Sequence, residues 1–250
     1  MTHSIYRPLW LSVQVGAWVL GCFASQPGQP LAKLPPVQVQ ALIDATPADG
    51  AALTLNLLPQ DPAVCPKIAD SVQATINGRA LGLYDAGGTR QRKGGASYCE
   101  PPSFKGSGIP LAGDATIRLH DATGDFTVVA PGALRKATAT LVQPSNGVLQ
   151  PGQMGQIQLT PSIGTVTYAT VSFVAASATT AAFYVEYPGK GASLSGDTIS
   201  FSVPTTAAAA TGSVQTLASL DVAVSQCQGP AACTVQTGVG GTVPASVGGP

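Results

Sequence analysis

Residues 71–84 read SVQATINGRALGLY, and this stretch decides the kind of fold that the chain adopts. Asn77-Gly78 favours a two-residue type I′ turn, because both central residues of that turn need a positive φ. Such a turn pairs Ile76 with Arg79 and fixes the register of the two strands. The register gives the hairpin one apolar face, as a half-buried sheet requires. That face consists of Val72, Ala74, Ile76, Leu81 and Leu83.

The rest of the chain repeats the same pattern of short alternating segments between turn residues. Asp121-Ala122-Thr123-Gly124 predicts a second hairpin within 114–129, because Asp first and Gly fourth suit a type I turn. Beyond residue 137 a Pro/Gly turn signal recurs about every ten to fifteen residues, which is typical of a β-sandwich. The chain also contains 29 Gly and 21 Pro. We therefore predict an all-β protein.

The predicted organisation is two antiparallel β-sandwich domains that follow an export signal and a tether. The segment 130–136 looks like the boundary between them, because charged residues become rare after it. The predicted division is a signal peptide at 1–21, a tether at 22–36, sandwich domains at 37–132 and 133–235, and a disordered tail at 236–250.

The N-terminal segment predicts export. Leu9 to Cys22 reads LWLSVQVGAWVLGC, an apolar run with Arg7 just before it. A positive start followed by a short apolar run is the layout of a cleaved signal peptide. The run is shorter than the about 20 residues of a transmembrane helix.

The end of this run, Val19-Leu20-Gly21-Cys22, resembles the lipobox of bacterial lipoproteins. The resemblance implies cleavage before Cys22, lipid on its sulfur, and a protein anchored to a membrane from outside the cytoplasm. Phe23 stands where an Asp would imply inner-membrane retention, so the resemblance points to the outer membrane. Cleavage before Ser25 is the alternative, and it would give a periplasmic or secreted protein. The segment 25–36, SQPGQPLAKLPP, predicts an extended tether.

The composition excludes some classes of partner. Charged residues are 10% of the chain, with 12 basic and 12 acidic side chains, against about 25% in a typical domain. No basic surplus exists to neutralise a nucleic-acid backbone, so we expect no nucleic-acid partner. The sequence predicts no cofactor.

Four cysteines remain besides Cys22, and an even number in an exported chain indicates two disulfides with three possible connectivities. Short separation and loop-closure entropy favour the pairs Cys65–Cys99 and Cys227–Cys233. A zinc site is disfavoured, because the sequence has no CxxC pair.

The segment 85–108 is the candidate binding loop, because it is long, glycine-rich and basic. In this hypothesis the aromatic side chains stack on a ligand and the basic ones contact anionic or polar groups. The residues concerned are Arg90, Arg92, Lys93, Tyr98 and Phe104. A solvated loop held by a disulfide is the simpler interpretation of the same segment.

A family resemblance covers about residues 137–225. Leu149-Gln150-Pro151-Gly152 precedes a strand and Phe201-Ser202-Val203-Pro204 ends one. This arrangement looks like the immunoglobulin-like domains of bacterial surface lipoproteins. The resemblance implies a spacer or binding domain, although a fold alone does not fix a function.

Residues for catalysis or for a metal site are few. His120 is the one histidine outside the predicted signal peptide, and no GxSxG motif is present. Asp114, Asp121 and Asp125 could bind Ca²⁺, but ordinary turn chemistry explains all three. We therefore expect no catalytic residues and no metal.

The function predicted from the sequence is a membrane-tethered, non-catalytic binding or structural module of the bacterial cell envelope. Its partner would be an unknown envelope protein or a glycan. The alternatives are a carboxylate-dependent glycan hydrolase, which would use two acids distant in the chain, and a secreted binding protein without lipid.

Overall fold

The computed structural model describes residues 26–248 except 163, 179 and 190. The predicted signal peptide and the predicted lipidation at Cys22 lie outside the described residues. The described part is all β, as predicted, apart from one 3-10 turn at Leu31–Lys33. No helix in this part of the chain has the length and apolar character needed to cross a membrane.

Nineteen strands follow one another along the described chain. The first nine are β1 Val37–Asp44, β2 Ala51–Pro59, β3 Gln73–Ile76, β4 Arg79–Asp85, β5 Gly88–Gln91, β6 Ser97–Glu100, β7 Ser103–Ile109, β8 Gly113–Asp121 and β9 Gly124–Leu134. The other ten are β10 Thr138–Gln143, β11 Val148–Leu149, β12 Met154–Thr160, β13 Thr165–Ala175, β14 Ala181–Tyr187, β15 Ala192–Ser195, β16 Thr198–Ser202, β17 Ala210–Val222, β18 Gln226–Gln228 and β19 Ala232–Val247.

Most of these strands belong to one large sheet. Its order is β14-β13-β17-β19-β1-β2-β7-β4-β3-β8-β9-β18, and β11 pairs with β19 beside this path. A second sheet has the order β10-β12-β16-β15, and β5 and β6 form a separate two-stranded ribbon. Almost all pairs are antiparallel, but β1 and β11 each run parallel to β19.

The hairpin of β3 and β4 forms with the predicted register. Asn77 and Gly78 have φ of 48° and 78°, and Ile76 pairs with Arg79. Leu83 was predicted on the buried face, and this prediction is wrong, because its side chain is 40% exposed. After Leu81, strand β4 leaves β3 and pairs with β7, with a register shift near its end. The alternation set by the turn therefore does not continue to Leu83.

The buried side chains form two clusters. The first cluster combines residues of β1, β2 and β7 with residues of β3, β8 and β9, so the large sheet folds over on itself at β4. Its largest members include Leu53, Leu55, Leu57, Ile76, Phe104, Ile117 and Leu119. The second cluster lies between β13, β14, β17 and β19 on one side and the four-stranded sheet on the other. It includes Phe173, Phe183 and Phe201, whose rings stack in sequence at centroid distances of 5.8 and 6.4 Å.

The predicted disordered tail is wrong for residues 236–247. These residues form most of β19, which pairs with β17 along 13 positions and with β1 along seven. The tail is rich in Gly, but Val239, Ala245 and Val247 belong to the second cluster and are buried. The Gly residues in this segment let the neighbouring strands approach closely. The glycine content suggested disorder, but here it permits close packing.

The predicted tether at 22–36 is also shorter than expected. Gln29 exchanges backbone hydrogen bonds with Lys67 and Ala69, at 2.8 and 2.9 Å. Leu31 is buried in the first cluster. The chain is therefore fixed to the folded part from Gln29 onward. The reason is that Leu31, an apolar residue in this proline-rich segment, packs into the first cluster.

Candidate binding surfaces

The candidate loop predicted from the sequence contains a regular hairpin, the basic hairpin (residues 88–100). It consists of β5 and β6, which pair Arg90 with Tyr98 and Thr89 with Cys99. Cys99 lies opposite Cys65, with a Cα–Cα distance of 5.2 Å that suits a disulfide.

Cys227 and Cys233 have a Cα–Cα distance of 5.8 Å. Both predicted cysteine pairs are therefore confirmed as lying at disulfide distance. The second pair closes a short loop between β18 and β19.

The basic side chains of the hairpin have different environments. Arg90 donates from Nη2 to both carboxylate oxygens of Asp85, at 2.8 and 3.0 Å. The Arg92 guanidinium lies 5.2 Å from the centroid of the Tyr98 ring, a cation–π distance. Lys93 is exposed in the turn between the strands. The charges of Arg92 and Lys93 therefore face solvent, whereas that of Arg90 is paired.

Phe104 was predicted as a stacking surface, and this prediction is wrong. Its side chain is 1% exposed and belongs to the first cluster. Residue 104 lies on β7, between β2 and β4, where it faces the interior. The structure brings Arg90, Arg92, Lys93 and Tyr98 together and removes Phe104 from the group.

The first described residues lie against the root of the basic hairpin. Gln26 donates from Nε2 to the carbonyl oxygen of Cys65 at 3.1 Å. Its Oε1 lies 3.5 Å from the position that a Cβ on Gly88 would take. The N-terminal segment and the basic hairpin are therefore neighbours, although more than 60 residues separate Gln26 from Gly88 in sequence.

A second surface, which local sequence patterns did not predict, lies on the solvent side of β14, β13, β17 and β19. We call it the outer face. Cross-strand partners share a side of a sheet, so the registers place Thr170 beside Glu186 and Leu217, and Ser172 beside Tyr184 and Gln215. The outer face consists of Tyr168, Thr170, Ser172, Tyr184, Glu186, Gln215, Leu217, Gly240 and Thr242.

Two tyrosines and a glutamate are bonded to one another on this face. The hydroxyl groups of Tyr168 and Tyr184 lie 3.2 Å apart, and that of Tyr184 donates to Glu186 Oε2 at 3.2 Å. The bond with Tyr168, desolvation and the bond with Glu186 all raise the pKa of Tyr184 above its usual value. Both tyrosines stay partly exposed, at 38% and 55%. Because their hydroxyls are hydrogen-bonded to each other and to Glu186, the two rings are held in place. We call this pair of rings the platform.

Two shallow cavities of about 390 Å³ each lie next to each other along the large sheet. The first is lined by outer-face residues, including Thr170, Ser172, Gln215 and Leu217, together with Thr46. The second continues over β1 and β2 and includes Leu42, Thr54 and Gln236. Gly240 and Gly238 lie between the flanking side chains and keep the surface low there. The result is a long groove whose first part is lined mainly by hydroxyl and amide groups and whose second part is more apolar and includes the carboxylate of Asp44.

The alternation of Tyr168, Thr170 and Ser172 along β13 was a signal for this face. This alternation is visible in the sequence. The residues that lie beside it on β14, β17 and β19 are not, because local sequence patterns do not determine the order of strands in a sheet. The sequence therefore showed one row of the surface and not the surface itself.

The acidic residues considered for calcium are engaged in separate hydrogen bonds and ion pairs. Asp114 accepts a bond from the Gly132 N–H at 2.8 Å, and Asp125 pairs with Arg118 at 3.0 Å. Asp121 accepts bonds from Leu31 and from its own turn. No group of three or more His, Cys, Asp or Glu side chains within the described residues could hold a metal ion. His120 lies half-buried on β8, opposite Asp125.

Comparisons with known proteins add little to this description. No family model matches the chain, and no curated protein matches it. A solved structure described as tandem Ig repeats of Dlar is similar over 82% of this chain and 99% of its own length, at 12% identity and a TM-score of 0.22. A likeness at this TM-score carries no argument about fold or function, so any functional conclusion depends on the geometry of the chain itself.

Proposed function

We propose that the protein is a membrane-tethered, non-catalytic binding module of the bacterial cell envelope, and that its outer face binds a neutral glycan. The two clusters would correspond to two immunoglobulin-like sandwich domains that share β19. The lipobox-like Val19-Leu20-Gly21-Cys22 supports the tether. The platform of Tyr168 and Tyr184, beside a groove rich in hydroxyl and amide groups and without Lys or Arg, is the observation that carries the choice of ligand.

The charge of the outer face and its continuation disfavours an anionic ligand. The strands β1, β2, β13, β14, β17 and β19 contain no Lys or Arg. Two of their acids are already engaged, Asp221 with Gln236 at 2.8 Å and Asp44 with Thr46 at 2.6 Å. An anionic ligand would therefore find no opposite charge on these strands. Sugar hydroxyls would find hydrogen-bond partners in the Thr, Ser and Gln side chains.

The exposed tyrosine rings supply the apolar part of such a site. Tyr combines a flat apolar body with a polar tip, so it can contact the C–H face of a sugar ring while its hydroxyl stays bonded. Glu186 accepts from the Tyr184 hydroxyl, and the bond limits the movement of the ring. Binding sites commonly concentrate their free energy in a few such aromatic side chains.

The binding test is calorimetric titration of the full chain with soluble fragments of envelope and other glycans, beside Tyr168→Ala/Tyr184→Ala. We expect the double variant to weaken binding by about tenfold or more. Tyr84→Ala is the control, because Tyr84 is an exposed tyrosine on β4, at 67%, and lies outside the outer face. Equal affinity in the wild type and the double variant would remove the outer face as the ligand site.

The same titrations distinguish the alternatives. Release of reducing ends from a glycan, lost in an Asp or Glu variant, would favour the hydrolase. No affinity for any glycan would favour a structural spacer. Clickable fatty-acid labelling of the full-length protein beside Cys22→Ala tests the tether separately. We expect label on the wild type alone, and an unlabelled protein that starts at Ser25 would identify a secreted or periplasmic protein instead.

A further inference from the structure

We propose that the basic hairpin docks on the anionic phosphate headgroups of the bilayer that carries the lipid anchor. The hairpin would thereby fix the orientation of the protein on the membrane. This inference rests on the tether proposed above, and it assigns a role to the segment that the outer face leaves unused.

The N-terminal segment brings the predicted anchor close to the hairpin. Gln26 is bonded to Cys65, which is the disulfide partner of Cys99 in β6. Cys22 precedes Gln26 by four residues. Four residues span at most about 14 Å when fully extended. A lipid on Cys22 therefore places Gln26, whose side chain contacts the root of the hairpin, within that distance of the anchored residue.

The hairpin also has the charge that an anionic surface attracts. Between Ala86 and Cys99 the sequence contains Arg90, Arg92 and Lys93 and no acidic residue. Asp85 and Glu100 flank this stretch, and Asp85 is paired with Arg90. The two remaining cations, Arg92 and Lys93, are exposed near the tip. Tyr98 lies under Arg92, and tyrosine is enriched where proteins meet the headgroup layer.

The hairpin is held firmly enough to keep these groups in place. The Cys65–Cys99 bridge joins it to the preceding loop. At its base, Asp85 accepts a bond from the Gly87 N–H at 2.7 Å while holding Arg90. A Cβ on Gly87 would collide with the Pro102 ring and the Pro66 carbonyl, so the base is closely packed. The charges therefore move with the folded part and not independently of it.

Two cations bind an anionic bilayer only weakly when the protein is free in solution, but the same contact becomes populated when an anchor already holds the protein at the membrane. Each Lys or Arg close to an anionic bilayer improves binding by about fivefold, so the pair contributes about 30-fold. Attachment through a short tether supplies a high local concentration, which makes such a weak contact populated. The expected result is an oriented protein and not a second, independent membrane anchor.

The test uses the lipidated full-length protein in vesicles of about 30% phosphatidylglycerol, with a tryptophan as reporter. The natural tryptophans, Trp10 and Trp18, lie in the predicted signal peptide, so Ala96→Trp gives a single fluorophore at the tip of the hairpin. We expect quenching by headgroup spin-labelled lipid. The quenching should fall in phosphatidylcholine vesicles and at about 0.5 M salt, because screening shortens the range of the attraction.

Charge variants separate docking from simple proximity. Arg92→Ala/Lys93→Ala should abolish most of the quenching, whereas Arg135→Ala/Lys136→Ala should not change it. The second pair is also adjacent, basic and exposed, but follows β9. Ala182→Trp on β14 should remain unquenched throughout. Gln91→Trp provides a second reporter in the hairpin if Ala96→Trp does not fold.

The outcomes distinguish this proposal from the tether. Protein that floats with vesicles but shows no quenching at residue 96 overturns hairpin docking and leaves the tether intact. Equal quenching in anionic and neutral vesicles also overturns it, because contact would then not depend on charge. Protein that carries no lipid and does not float overturns the tether and the docking together.

Discussion

Asp121 shows how a single side chain can connect distant parts of the chain. Its carboxylate accepts bonds from the Thr123 hydroxyl, from the N–H groups of Thr123 and Gly124, and from the N–H of Leu31 across 90 residues. Desolvation alone would raise the pKa of Asp121, but these hydrogen bonds outweigh it and hold the pKa below its ordinary value. The ionised form is therefore part of the folded structure.

Asp121→Ala should lower the free energy of unfolding by about 1–2 kcal/mol at neutral pH, because the turn and the N-terminal segment both lose their acceptor. Since the folded state depresses the pKa of Asp121, the stabilisation is present above the unfolded value of about 3.9. It is lost as the pH falls through the folded value. Urea denaturation at about pH 7 and about pH 2 should therefore show a difference between wild type and variant that shrinks in acid.

Asp125→Ala is the control in the same turn. Asp125 pairs with Arg118, and both side chains are more than half exposed. Surface pairs of this kind contribute about 0–1 kcal/mol. Equal losses in the two variants would show that the bonds to Leu31 and the turn do not stabilise the fold.

Individual residues were predictable where the turn alone decided their position. Asn77-Gly78 fixed a register that the structure has, and Val72, Ala74 and Ile76 are buried as expected. Leu83 and Phe104 were not predictable, because their exposure depends on which strand lies beside them and not on the local pattern. The Tyr168–Tyr184–Glu186 group was hidden for the same reason.

At the scale of elements, β19 depends on glycine where it crosses other strands. A Cβ on Gly241 would lie 2.6 Å from the Cβ of Ala139 and 3.0 Å from its backbone nitrogen. Ala139 belongs to β10 in the four-stranded sheet, so Gly241 allows the two sheets to meet. The glycines that suggested a disordered tail are in fact what permits this close approach.

Gly241→Ala should lower the free energy of unfolding by about 1–3 kcal/mol, because β10 must shift to accept the methyl group. Gly82→Ala on β4 is the matched control. Its new Cβ would meet only the Lys105 carbonyl oxygen, at 3.7 Å, an ordinary contact. We expect this control to be neutral or to gain up to about 1 kcal/mol through the less flexible unfolded chain.

Chemical denaturation of both variants measures this difference directly. A Gly241→Ala protein as stable as Gly82→Ala would mean that β10 and β19 do not pack closely at this point.

Hairpins were predictable from turns in the sequence. Contacts between sheets were not, because they depend on pairs such as Gly241 and Ala139, which lie about a hundred residues apart.

At the scale of the whole molecule, the two clusters are not independent. The chain passes from the first to the second between Leu134 and Ala137, close to the predicted boundary, but it returns through β17 and β19. Val235 lies in the first cluster, whereas Val239 and Val247 of the same strand lie in the second. A single strand therefore contributes to both cores. This long-range return was not predictable from local periodicity.

Ending the chain after Thr234 should consequently prevent both halves from folding. The truncation removes the pairing of β19 with β17 and most of its pairing with β1. It also removes the buried Val235, Val239 and Val247. Burial of three such side chains contributes about 5–9 kcal/mol, which is comparable with the about 5–15 kcal/mol stability of a whole domain.

Ending the chain after Gly248 is the control, and it leaves β19 complete. Calorimetry should show one cooperative thermal unfolding transition for the chain that ends at Gly248 and none for the chain that ends at Thr234. A truncated protein that keeps a cooperative transition would mean that one cluster folds without β19, and the shared strand would then not couple the two halves.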